Sequence, residues 1–105
     1  MAPDTRELMK QYIAALEDER ERERQYEVFS TPYAEADRER KQRIQELRVA
    51  VRAREPESGI SYTAHMAIEA IERTKSAKRG LAEARQHRDA ARSKREQIEA
   101  ELLGD

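Results

Sequence analysis

Residues that break helices are so scarce in this sequence that long helices are almost the only regular structure open to it. Glycine and proline number three each in 105 residues, which is too few for the turns between the short strands of a sandwich or barrel. Alanine, glutamate, arginine, glutamine and leucine are abundant, a composition typical of coiled coils and long helices. We therefore predict an all-α chain with one helical domain over residues 1–105.

The first half of the chain has apolar residues at spacings that add threes and fours, which is the pattern of an amphipathic helix. A helix is predicted over about residues 4–29. Proline lacks a backbone N–H and is well placed just inside a new helix, so Pro32 predicts a kink or a break followed by a helix over 32–54.

A clearer break follows in the sequence Glu-Pro-Glu-Ser-Gly that ends at Gly59. It predicts a turn over about 55–61. Either Ser61 or Thr63 is then expected to cap a last helix over 62–103, because side-chain hydroxyls accept hydrogen bonds from the free N–H groups of a helix start.

Segment lengths favour one of two arrangements. The two segments before the turn together have about 50 residues, which matches a last helix of about 40 if they form one arm of an antiparallel, coiled-coil-like helical hairpin. The alternative is a three-helix bundle in which the first segment folds back at Pro32. Folding back would leave half of the last helix without a neighbour, so we favour the hairpin.

With the hairpin turn placed near Gly59, residues that face each other have numbers adding up to about 118. This rule places large rings such as Phe29 opposite alanines, an alternation that lets facing layers interlock. The predicted core or dimer seam consists of Met9, Tyr12, Leu16, Tyr26, Tyr33, Ile44, Leu47, Val51, Ile71, Leu81, Ile98 and Leu102.

A single two-helix hairpin buries each helix on one side only, and the burial of its apolar side chains barely offsets the entropy of ordering the chain. Dimerisation into a helical bundle is therefore expected. Apolar residues away from the main seam would form the second stripe that such a bundle needs, and these are Ile13, Val28, Val49 and Leu103.

The formal net charge of −1 hides a blocky distribution. Residues 73–95 carry nine basic and two acidic groups, whereas residues 1–37 carry five basic and ten acidic ones. The basic run is the best candidate for binding a partner or nucleic acid, because guanidinium groups match phosphate oxygens. Its candidate residues are Lys78, Arg79, Arg85, Arg88, Arg92 and Arg95. The acidic first arm is expected to neutralise part of this run.

Catalytic and metal chemistry have little support in the sequence. The chain has no cysteine, which excludes disulfides, thiolate zinc sites and cysteine nucleophiles. His65, Glu69 and Glu72 share a helical face, but the facing Glu-x-x-His elements of a di-iron site are missing. We expect no enzymatic activity, no metal and no cofactor.

No apolar window approaches the length of a membrane span and no signal peptide is recognisable, so a cytoplasmic protein without membrane partners is expected. The function predicted from these features is that of a non-enzymatic helical protein-protein interaction module. Adaptors, assembly factors and small bacterial or phage regulators and inhibitors are of this kind. The alternative is a nucleic-acid-binding regulator that uses the basic run.

Overall fold

A computed structural model describes residues 4–104 of the chain, and this range is entirely helical apart from its ends and one connection. Two long helices make up the fold, α1 (Thr5–Arg52) and α2 (Glu57–Leu102), and no strand occurs among the described residues. The predicted all-α class is confirmed. Residues 1–3 and 105 of the predicted domain lie outside the described range.

Helix α1 begins where the sequence predicts it. The carbonyl of Asp4 accepts a hydrogen bond from the N–H of Leu8 at 2.9 Å, and its side-chain Oδ1 lies 3.3 Å from the N–H of Arg6. A carboxylate at this position satisfies a free N–H group and interacts favourably with the positive end of the helix dipole.

Of the kink or break predicted at Pro32, the break is wrong, because α1 continues through this residue from Thr5 to Arg52, and the kink stays a prediction. A proline removes one N–H donor from the helix, but the hydrogen bonds of the neighbouring turns remain available to hold it. The separate helices predicted over 4–29 and 32–54 are one element. The three-helix alternative, which needs a reversal at Pro32, is not supported.

The connection between the helices is shorter and earlier than predicted, since only residues 53–56 separate α1 from α2. Arg54 adopts a left-handed conformation with φ of 54°. The N–H of Arg54 donates to the carbonyl of Val51 and the N–H of Glu55 donates to that of Ala50, both at 3.2 Å. These two bonds form a Schellman motif, which satisfies the last carbonyls of α1 without a glycine.

Helix α2 begins at Glu57 rather than near residue 62. The carbonyl of Pro56 accepts hydrogen bonds from Gly59 at 2.9 Å and from Ile60 at 3.1 Å, so Pro56 stands at the helix start, where a missing N–H costs nothing. The predicted capping role of Ser61 or Thr63 is wrong, because both residues lie inside α2. Thr63 instead bonds within the helix. Its hydroxyl donates to the carbonyl of Gly59 at 2.8 Å, inside the helix.

The described residues fall into two compact units, each built from one stretch of α1 and one stretch of α2. The terminal unit comprises the described residues up to Val28 together with those from Ala82 onward. In it the guanidinium of Arg95 contacts Glu19, while Arg88 lies over the ring of Tyr26. Numbers rise in one helix as they fall in the other, so the two stretches are antiparallel.

The turn unit, Phe29–Leu81, is an antiparallel helical hairpin closed by the connection described above. Thr74 donates to the carbonyl of Ala36 at 3.0 Å and Arg73 lies 2.9 Å from Glu39. The numbers of these facing residues add up to 110 and 112. The predicted sum of about 118 is therefore wrong by up to two helical turns, because the turn was placed too late.

Small side chains occupy the seam, by which we mean the positions of each helix that face the other helix of the same unit. Buried hydrophobic residues of the terminal unit are Ala15, Ala84, Ala91 and Ile98. Those of the turn unit are Ala50, Ala67 and Ala70, to which the buried polar residue Thr74 is added. Small residues let helix backbones approach closely, so each seam is narrow and its core thin.

Gly80 in α2 is one such small residue, and a glycine inside a helical pattern predicts a bend or a close backbone contact. A Cβ atom at this position would lie 3.3 Å from Cδ1 and Cε1 of the Phe29 ring. The ring therefore packs on bare backbone, which is the predicted close contact.

Eight of the twelve residues predicted for the seam are half-buried or buried. Half-buried or buried seam positions hold Tyr12, Tyr26, Tyr33, Leu47, Leu81, Ile98 and Leu102. Four others are exposed beside the seam, namely Met9, Leu16, Ile44 and Val51. The last, Ile71, is half-buried next to the buried seam residue Ala70. Before Leu16, Val51 and Ile71 the preceding alanine holds the buried position, because a small residue fits the narrow gap better.

Candidate interaction surfaces

An ionic cluster crosses the seam of the terminal unit at Glu19. Its two carboxylate oxygens lie 2.8 Å from Nε and 3.4 Å from Nη2 of Arg95, the forked geometry that makes arginine and carboxylate pairs strong. Nε of Arg92 lies 3.6 Å from the same carboxylate, and Nη2 of Arg92 lies 3.4 Å from the carboxylate of Glu23. The side chain of Glu19 is only 12% exposed, so this pair is more protected from solvent than an ordinary surface ion pair.

The charges of this cluster stabilise each other. The hydrogen bond from Arg95 holds the pKa of Glu19 below its ordinary value of 4.5, against the opposing effect of burial, and the charges of Arg95 and Arg92 act in the same direction. Hydrogen bonds to Glu19 and Glu99 likewise raise the pKa of Arg95. Both groups are therefore charged at neutral pH.

Arg88 uses its charge differently. Its guanidinium carbon lies 4.2 Å from the centroid of the Tyr26 ring, a cation-π contact, and its Nη2 lies 3.2 Å from the carboxylate of the adjacent Asp89. The side chain is 20% exposed. Arg88, Arg92 and Arg95, half of the predicted binding residues, thus contact groups of their own unit.

The other half of the predicted set is exposed. Within residues 4–104, no ion pair or hydrogen bond involves the side chains of Lys78 and Arg79 in the turn unit or of Arg85 in the terminal unit. These three cations are free to meet an anionic partner. The predicted neutralisation by the acidic first arm therefore reaches only part of the basic run.

Two polar seam residues were not among the predicted sites. Glu19 carries the ionic cluster, and the buried Thr74 donates to the carbonyls of both Ala36 and Ala70, at 3.0 and 2.9 Å. Both could have been noticed in the sequence, because each is a polar residue at a position that is usually apolar in a seven-residue repeat. The sequence did not show which partner each residue would have.

The turn unit has one flank of its seam occupied by ions and the other by apolar side chains. The pair of Glu39 and Arg73 marks the first flank, since each precedes a seam residue by one position. Ile44 and Ile71 follow seam residues by one position and therefore lie on the opposite flank. Val51 and Ile68 continue this apolar flank by helical spacing and are 54% and 58% exposed.

The turn-unit patch is the name used below for the set Ile44, Val51, Ile68 and Ile71. Exposed cations surround it on the same flank, at Lys41, Arg48, Lys75 and Lys78. Lys41 also contacts Asp37, and this contact together with that of Arg40 lowers the pKa of Asp37. The patch is therefore apolar in its centre and predominantly basic at its edge.

The terminal unit has a corresponding exposed patch. Met9 and Leu16 are exposed on the flank that also carries the contact of Glu23 with Arg92, and Ile13 lies between them by helical spacing. Leu103, four residues after Glu99 on the same flank of α2, is 73% exposed. The terminal patch is defined as Met9, Ile13, Leu16 and Leu103.

Metal-ligand clusters of three or more His, Cys, Asp or Glu side chains do not occur in residues 4–104. Nε2 of His65 lies 3.1 Å from Glu69 on an exposed helix face. In the same range, neither helix combines the length and the apolar character that crossing a membrane requires.

No protein-family model, curated protein or solved structure matches the chain.

Proposed function

We propose that the chain is a non-enzymatic helical interaction module that works as a homodimer and binds another protein through its charged helical surfaces. An adaptor, an assembly factor or a small regulator acts in this way. The supporting observation is the pair of exposed apolar patches beside seams lined by alanine. Apolar side chains grouped on one flank of a helix pair are typical of a surface that a further helix covers.

The thin cores support the same proposal. Among the described residues, no large side chain is fully buried, and six of the seven buried hydrophobic residues are alanine. Alanine contributes little apolar area, so each unit gains little hydrophobic stabilisation from its own seam. Covering the patches in a dimer would add the apolar burial that larger side chains provide.

Light scattering coupled to gel filtration tests the dimer. At micromolar concentration the mass should be twice that of the 12.3 kDa chain. Ile68→Glu places a charge in the turn-unit patch and should give a monomer, since an unpaired charge is costly to bury. Val49 was predicted for the second stripe of the dimer, but it precedes the buried Ala50, so it is 52% exposed on the opposite flank of α1. Val49→Glu is therefore the matched control and should stay dimeric. A monomeric native chain contradicts the proposal.

Nucleic-acid binding is the second candidate, and the free cations Lys78, Arg79 and Arg85 favour it. A titration with duplex DNA at two salt concentrations tests it, since affinity that rests on phosphate contacts falls steeply with salt. Reversing all three charges should abolish binding. Reversing three other exposed cations, Lys10, Arg20 and Arg38, is the matched control. Absence of binding at low salt would remove this candidate.

A further inference from the structure

We propose that the turn-unit patch of one copy packs against the terminal patch of a second copy, so that each copy contributes both patches to a symmetric dimer. This arrangement rests on the homodimer proposed above and specifies which surfaces meet. Because each copy carries one patch of each kind, a twofold axis generates the contact twice and leaves neither patch uncovered.

Charge selects this pairing over the contact of two like patches. The turn unit, Phe29–Leu81, carries 11 basic and 8 acidic groups, a net charge of +3, so the remaining residues of a chain with net charge −1 carry −4. Two turn-unit patches in contact would bring their basic edges together. Unlike charges favour the mixed contact, and like charges facing each other oppose the alternative.

The charged residues on the two flanks agree with the net charges. The flank of the turn unit has four cations against two acids, Asp37 and Glu57, the second of which stands at the start of α2. On the flank of the terminal unit the acids outnumber the bases. The acids are Glu23, Glu27, Asp89, Glu96 and Glu99, and the bases are Arg6, Arg20, Arg85 and Arg92. Several of these acids therefore lie where the cations Lys41, Arg48, Lys75 and Lys78 of a second copy can approach them.

The patches also match in chemistry and in construction. Each consists of four aliphatic or thioether side chains, and each includes two α1 residues that are seven positions apart, Met9 with Leu16 and Ile44 with Val51. Helices whose apolar residues share this period pack along a common stripe. The turn unit of one copy and the terminal unit of the second copy would then form a four-helix contact.

Cysteine cross-linking tests the pairing in the full chain, which has no cysteine of its own. Ile13→Cys reports the terminal patch and Ile68→Cys the turn-unit patch, and both positions are exposed. The two chains, one carrying a tag that changes its size, are mixed and treated with a bismaleimide of short span. The mixed product should dominate over both like pairs. Tyr62→Cys, on an exposed position of α2 away from the flank, is the control and should give little product.

The outcomes separate this inference from the proposed function. Dominant cross-linking of Ile68→Cys chains to each other overturns the mixed pairing while the dimer stands. A dimer that gives no product with either cysteine overturns it as well. If the chains are monomeric by light scattering, the proposed dimer itself fails.

Discussion

Glu19 occupies a seam position, where a contact between two helices usually carries an apolar side chain. The charge of its carboxylate is stabilised there because Arg95 donates hydrogen bonds to both oxygens and Arg92 adds a second positive charge. A buried carboxylate without these partners would be strongly destabilising. The ion pairs that Arg95 and Arg92 form at this seam position therefore depend on the single carboxylate of Glu19.

Replacing Glu19 with Gln should lower the free energy of unfolding by about 1 kcal/mol at neutral pH, since the guanidinium of Arg95 then donates to a neutral amide oxygen instead of a carboxylate. The pKa of Glu19 is lowered in the folded chain, so its contribution is complete above the ordinary value of 4.5 and is lost as the pH falls below it. Urea denaturation at several pH values measures the difference, which should vanish in acid.

Glu17→Gln is the control for this change, because Glu17 is exposed two residues away on the same helix. It should leave the stability almost unchanged at every pH. An equal effect of both variants would contradict the role given to Glu19.

Gly80→Ala tests the close contact with Phe29. Alanine in a helix interior is favoured over glycine by about 1 kcal/mol, but its Cβ would lie 3.3 Å from two atoms of the ring. The ring is 45% exposed and can shift, so a gain of less than this amount is expected. In a Phe29→Ala background the gain should be larger. Thermal denaturation of the four chains measures this coupling, and equal gains would contradict it.

Helix boundaries and seam register mark what sequence reasoning can and cannot reach at the scale of elements. Helical class, the start at Asp4 and the close contact at Gly80 were predictable because each depends on local chemistry. The buried position beside Leu16 could not be predicted, since a pattern search weights size. Packing instead selected Ala15, whose small side chain fits a narrow gap.

The ionic cluster could not be predicted for a related reason. Pairing of Glu19 with Arg95 depends on where the chain turns, and the sequence has two candidate positions, at Pro56 and at Gly59. A left-handed residue is usually glycine, which favoured Gly59. Arg54 takes that conformation instead, with φ of 54°, and every facing pair shifts with it.

Pro32→Ala tests the continuity of α1. Proline in a helix interior is about 3 kcal/mol less favourable than alanine, although it also restricts the unfolded chain, which offsets part of that difference. The free energy of unfolding should therefore rise by about 2 kcal/mol. Urea denaturation checks this, with the adjacent exposed Thr31→Ala as a control that gains only a few tenths. Destabilisation by Pro32→Ala would show that α1 needs the proline.

In the proposed dimer, the stability of the whole molecule should depend on chain concentration, because the units have thin cores and a second copy would cover the patches. Folding and association are then linked, and dimer formation draws the equilibrium towards the folded chain. Net charges of opposite sign in the two units also make this association sensitive to salt.

The thermal unfolding midpoint should rise by a few degrees for each tenfold increase in chain concentration. Circular dichroism over a wide concentration range measures this. Ile68→Glu should remove the dependence and Val49→Glu should keep it. A midpoint that is independent of concentration in the native chain would show that one copy is stable alone.

The alanine side chains between the helices restrict which substitutions the sequence can accept there. Four buried positions between the helices limit the volume of the side chain more than they require hydrophobicity, namely Ala67, Ala70, Ala84 and Ala91. Serine or glycine would be tolerated there, while leucine or phenylalanine would wedge the helices apart. Homologous sequences should therefore keep small residues at these regularly spaced positions even where the overall sequence identity is low.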